Sequence, residues 1–159
     1  MLTSHHITSN ESGQALPEFA LVLPLLLVLL FGMLDFGKAF NYWIDTTQIT
    51  SEGARYAAVN RKPDPSDPLS LQQQLRAQGN TAELREGNTD SIATPAEVCV
   101  EFPNDTSNAG DPVTVRMTFD YHWLPFLGSH IDGLTDTEVS ATATMRLEAA
   151  PTNYVVGCD

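Results

Sequence analysis

The 159 residues carry 20 acidic against 8 basic side chains, a formal net charge of -12, and 42% of them are hydrophobic. A chain of this length supports one modest domain. Residues 63–159 hold 15 of the acids and 4 of the bases; that surplus repels phosphate backbones and excludes nucleic-acid binding.

The apolar residues are concentrated early. From Ala15 to Leu34 only Glu18 is ionisable, and 20 helical residues at ~1.5 Å each span roughly 30 Å, enough to cross a bilayer once. A cleaved secretory signal is the poorer reading, because no Lys or Arg stands in residues 1–14 and no small-x-small site follows Leu34. A soluble core helix is poorer still, since Phe19 to Leu34 offers no polar face. Charge does not orient the segment, as the first base, Lys38, comes after it. Pro24 removes one helical hydrogen bond and crowds the Ala20 carbonyl, which predicts a kink.

Beyond Leu34 the helical spacing continues through Phe36, Phe40, Trp43, Ile44, Thr47, Ser51, Ala54 and Ala58. One helix is therefore expected from Pro17 to about Val59, with this stripe facing a soluble domain. Tyr42 and Trp43 lie roughly 12 Å past the hydrocarbon edge, so packing against the domain is the expected role for both. Pro63, Pro65 and Pro68 end the helix. Asp67-Pro68 reads as the start of a short helix to about Ala77, with Leu71 and Leu75 on one face. Residues 80–94 read as irregular, with room for one helical turn.

From Glu97 the period changes to two. Val98, Val100 and Phe102 form one alternating run; Val113, Val115, Met117, Phe119 and Tyr121 form a second; Val139, Ala141, Ala143, Met145 and Leu147 form a third. The fold class read from these elements is α+β: a long N-terminal helix, a short helix and a three-stranded antiparallel sheet. The expected organisation is a leader at 1–13, a transmembrane helix at 14–34, its continuation at 35–60 and a small acidic domain at 61–159.

Gly13-Gln14-Ala15-Leu16-Pro17-Glu18-Phe19 places a carboxylate five positions after a glycine, at the head of the apolar run. This string resembles the processing site of type IV prepilins of the Flp subclass. With the Asp35-Phe36-Gly37-Lys38 step and Gly53-Ala54-Arg55-Tyr56-Ala57, it makes residues 13–59 similar to the TadE-like minor pseudopilins of tight-adherence pili. The resemblance implies cleavage between Gly13 and Gln14 by a prepilin peptidase, and pairing of Glu18 with the new Gln14 ammonium of a neighbouring subunit. It also implies a single-pass protein of the cytoplasmic membrane with its C-terminal domain outside. The implied partners are the prepilin peptidase, other pilins and minor pseudopilins, the pilus assembly platform and the lipid bilayer. Adhesion and biofilm formation would be the downstream biology. The rival from another class is a permanently membrane-anchored extracytoplasmic binding or sensor domain that keeps its leader.

No enzyme, cofactor or metal centre is expected. His122, Asp120 and Ser129 lack a nucleophile-elbow setting, the acidic loop 104–111 lacks EF-hand spacing, and His5-His6 are two ligands without further partners. The only two cysteines, Cys99 and Cys158, are expected to be joined outside the membrane, two free thiols being the alternative. Cys99 lies on the strand face opposite Val98 and Val100, so the tail would have to reach it across that face or along the sheet edge.

Overall fold

The computed structural model describes residues 15–124 and 136–159. Helix α1 runs without a break from Ala15 to Ala58, 44 residues, about 66 Å at the standard rise. Its first half is apolar and exposed, with Leu21, Leu25 and Leu29 all more than 60% accessible. Its second half carries the remainder of the fold.

Of the stripe expected from the spacing, α1 buries Ala54 and Ala58 but not the aromatic part. The buried row is Ala39, Tyr42, Thr46, Ile49, Thr50, Ala54 and Ala57, whereas Phe36, Phe40, Trp43 and Ile44 stay exposed. The pair Tyr42 and Trp43 divides: Tyr42 is 2% accessible in the core and Trp43 is 44% accessible. Apart from Tyr42 and Ile49, this face is made of small side chains, which let the sheet pack closely against the helix. The threonines can be buried because Thr46 Oγ1 donates to the Tyr42 carbonyl at 2.7 Å and Thr50 Oγ1 to the Thr46 carbonyl at 3.0 Å. At Gly53 a Cβ would lie 2.6 Å from Leu75 Cδ1 and 3.2 Å from Val115 Cγ1, so the glycine sets how near the second helix and the sheet come.

After Ala58 the chain turns at Asn60, whose φ of 52° is the left-handed value that Asn tolerates at a helix C-terminus. Helix α2 spans Leu71–Ala77, three residues later than the Asp67-Pro68 start expected from sequence. Its N-cap is Ser70, which with Gln73 forms a reciprocal capping box. Asp67 instead accepts from the Leu69 amide at 2.9 Å in the preceding turn. A five-residue α3, Ala82–Glu86, occupies the stretch read as irregular and buries Leu84. It ends at Gly87, where φ is 64° and a Cβ would meet the Thr94 carbonyl carbon at 2.6 Å, so only glycine fits.

The sheet has four strands rather than three: β1 Glu97–Glu101, β2 Pro112–His122, β3 Asp136–Arg146 and β4 Gly157–Cys158, in the order β3-β2-β1-β4 and antiparallel at each pairing. The fourth strand is the C-terminal tail, with Cys158 opposite Cys99 and Gly157 opposite Val100. The inward row of β2 (Val113, Val115, Met117, Phe119, Tyr121) is buried together with Val98 and Val100 of β1. Leu71, Leu75 and Leu84 close the core from the two short helices. Val139 and Ala143 of β3 pack on its margin. The opposite sheet face is polar, as the period of two requires.

Candidate functional site

Two regions of α1 concern function: its apolar first half and the point at which it meets the domain. Gly13 and Gln14 lie outside the described residues, as do His5, His6 and Ser129. Glu18 stands in the first turn of α1 and is exposed, with exposed Leu16, Phe19 and Leu21 around it. Pro24 lies inside the continuous helix. One segment of α1 is long and apolar enough to cross a membrane, with none of its most apolar window buried. A surface of this kind needs lipid or another apolar partner.

Directly after that segment, Asp35 joins the helix to the end of β2. Tyr121 Oη donates to Asp35 Oδ1 at 2.6 Å, and the Leu124 amide donates to Asp35 Oδ2 at 2.7 Å. Leu124 has a φ of 46°, a strained value for a residue with a Cβ, and this charged hydrogen bond holds it there. Burial, then the neighbouring Asp35 carboxylate, push the Tyr121 phenol well above its usual range. Burial and Glu83 do the same to Tyr42, so both rings remain neutral donors at any physiological pH. Lys38 extends toward Ser91 Oγ at 3.4 Å and sits 5.7 Å from the centre of the Tyr42 ring.

Three further contacts fix the domain to the helix, none of them signalled by a motif. Asp45, 5% accessible, accepts from the Asn80 backbone at 2.8 Å and from Asn80 Nδ2 at 2.7 Å. Asn60 Oδ1 accepts from the Thr152 and Asn153 amides at 2.8 and 3.0 Å. Tyr154 Oη donates to the Ala57 carbonyl at 3.0 Å, and burial raises this phenol to about 12. The tail so positioned brings Cys158 to Cys99, and the two are joined as a disulfide with Cα atoms 4.0 Å apart. It reaches Cys99 along the sheet edge. Val98 and Asp159 exchange both backbone hydrogen bonds there, at 2.9 and 3.0 Å, while Gln72 Nε2 donates to the Val155 and Gly157 carbonyls.

The residues considered for chemistry are arranged otherwise. His122 Nδ1 lies 2.6 Å from Asp136 Oδ1, and Asp120 faces Glu138 across the β2–β3 pairing. In the loop at 104–111, Asp111 accepts from the Asn108 amide at 2.9 Å, a local turn contact. Hydrogen bonds from Thr106 first, and then from Asn108, hold the Asp111 carboxyl below its usual range. Glu97, Cys99 and Cys158 bring ligand-type atoms within 4.8 Å of one another, but both sulfurs are committed to the disulfide.

An exposed apolar helix that runs unbroken into an α+β domain, and is clamped to it at Asp35, fits the class of single-pass membrane proteins with one folded domain. The family model for TadE-like proteins matches residues 13–55, so over this stretch the chain is similar to TadE-like proteins. The match opens on Gly13, takes in most of α1 and includes Glu18, Asp35 and Gly53. No curated protein and no solved structure gives a match.

Proposed function

We propose that the chain is a non-enzymatic minor pseudopilin: a prepilin peptidase hydrolyses the Gly13–Gln14 amide, and the mature subunit takes part in building tight-adherence pili used for surface adhesion and biofilm formation. The observation that carries this reading is the composition of the matched stretch. It begins at a glycine, sets a carboxylate five residues on, and continues as a helix whose exposed surface is almost wholly apolar as far as Leu34. Hydrolysis leaves a carboxylate on Gly13 and an ammonium on Gln14 at the membrane edge. Within a bundle of such helices, Glu18 of one subunit pairs with the Gln14 ammonium of its neighbour and sets the axial register. An unpaired carboxylate costs roughly 2.5–3.5 kcal/mol at mid-bilayer and less near the interface. Pro24 loosens the helix at one point, which lets it adapt inside the bundle. The partners are the prepilin peptidase, other pilins and the assembly platform. The domain faces the extracytoplasmic side, a placement supported by the Cys99–Cys158 bond, which persists in an oxidising compartment.

Glu18→Ala tests the pairing. The variant is expected to be processed normally, because the peptide bond and the glycine are untouched, yet to enter sheared pili at least about tenfold less well, equivalent to ~1.4 kcal/mol or more. Immunoblots of membrane and pilus fractions read both outcomes. Incorporation at the wild-type level would refute the pairing role.

A further inference from the structure

Four exposed or half-exposed aromatic rings form a row where α1 meets the domain. Trp43 stacks on Phe40 with ring centres 5.7 Å apart, Phe40 on Phe36 at 6.4 Å, and Phe36 on Trp123 at 6.3 Å. Phe36 is 63% accessible, although it lies beside the sheet. The row occupies the flank of α1, about a quarter turn from the buried residues at ~100° per residue. Trp123 comes from the end of β2 and is held in place twice over: its Nε1 donates to Thr137 Oγ1 at 2.8 Å, and the adjacent Leu124 amide is bound to Asp35.

We propose that this row is a membrane-interface seat, by which the domain rests on the bilayer surface instead of standing clear of it. The occupant follows from continuity and level. The row prolongs the exposed apolar surface of residues 16–34, and Phe36 and Phe40 lie about 3 and 9 Å beyond Leu34 along the axis. The headgroup layer occupies roughly 5–8 Å on each side of the hydrocarbon. Helical side chains lean toward the N-terminus, so the rings sit lower than their backbones; Trp43, about 13 Å beyond Leu34, stands above that layer, and the Phe36–Trp123 end of the row is the part that enters it. Trp123, against Phe36, lies deepest of the two tryptophans. Amphipathic rings are favoured at this depth. Asp35 is tolerated nearby because Tyr121 and Leu124 satisfy both of its oxygens. The inference requires α1 to cross a bilayer and is indifferent to processing at Gly13, so its failure would leave the pseudopilin reading untouched.

The two tryptophans of the chain are both in the row, which makes intrinsic fluorescence a direct test. Full-length Trp43→Phe and Trp123→Phe proteins, each with one tryptophan, are reconstituted into phosphatidylcholine vesicles with and without brominated acyl chains, and insertion of α1 is verified by protease protection. The Trp123 emission is expected to be blue-shifted and to lose most of its intensity to the bromines; the Trp43 emission is expected to lose a smaller part. Emission from both that is insensitive to bromine in inserted protein would overturn the proposal. So would a blue shift that grows with protein-to-lipid ratio without quenching, which would assign the row to a second copy.

Discussion

Replacing Cys99 and Cys158 together by serine is expected to lower the stability of the domain by about 4 kcal/mol, because the bond closes a 59-residue separation and loop entropy returns to the unfolded chain. For a domain of about 100 residues, this corresponds to a fall in melting temperature on the order of 20 °C. The loss should also be local. Without the bond, the tail around β4 is held by the Val98–Asp159 backbone pair, the two Gln72 hydrogen bonds, a hydrogen bond from Ser70 Oγ to Asp159 at 3.2 Å and an ion pair from Arg76 to Asp159 at 3.7 Å. The tail should then fray before the remainder of the sheet. Thermal unfolding of detergent-solubilised protein followed by circular dichroism measures the first effect, and amide exchange at Val98 and Asp159 the second. An unchanged melting temperature in the double-serine variant would show that the bond contributes nothing to the fold.

The second large effect is expected at Asp35. Asp35→Ala removes the side-chain acceptors of both Tyr121 Oη and the Leu124 amide, leaves Tyr121 only the longer 3.3 Å contact to the residue-35 carbonyl, and leaves the strained Leu124 backbone unsupported. A loss of about 2–3 kcal/mol is expected, since hydrogen bonds to a charged group are stronger than neutral ones and their abandoned donors stay partly desolvated. Asp35→Asn keeps one acceptor oxygen and should cost less. Tyr121→Phe should cost least, because it removes one donor and leaves the Leu124 contact whole. Urea denaturation of the three variants gives the ranking. An Asp35→Ala protein as stable as its parent would mean that the helix-to-β2 junction is held by packing alone.

The sequence exposed some of this fold plainly and concealed the rest for physical reasons. The apolar segment was legible from its unbroken hydrophobicity, and the outer half of the long helix and the three alternating runs from their period. The buried face of α1 was misread because large aromatic residues at three- and four-residue steps are the usual mark of a core. Here the sheet lies so close that Ala39, Thr46, Gly53, Ala54 and Ala57 take that face, and the aromatics are turned to the flank. Strand β4 left no periodic trace, being two residues long and held by a disulfide, a neighbouring strand and a glutamine from α2. The start of α2 was misplaced because Pro68 suggested a first turn, while the reciprocal Ser70–Gln73 cap prevailed. Asp45 and Asn60 gave no signal, since single side chains that bind distant backbone have no local pattern. Of the site residues, Glu18 stood out by its spacing from Gly13 and Asp35 by its place at the end of the apolar run; what Asp35 holds became visible only with β2 in place.

The proposal that this chain is a processed pilus subunit is tested most directly by the N-terminus of the protein taken from assembled pili. Intact mass and terminal sequencing are expected to find Gln14 as the first residue in cells with an active prepilin peptidase, and the longer form beginning with the leader in cells without it. Protein that begins at Met1 or Leu2 in peptidase-competent cells would contradict the account and favour a permanently anchored extracytoplasmic domain.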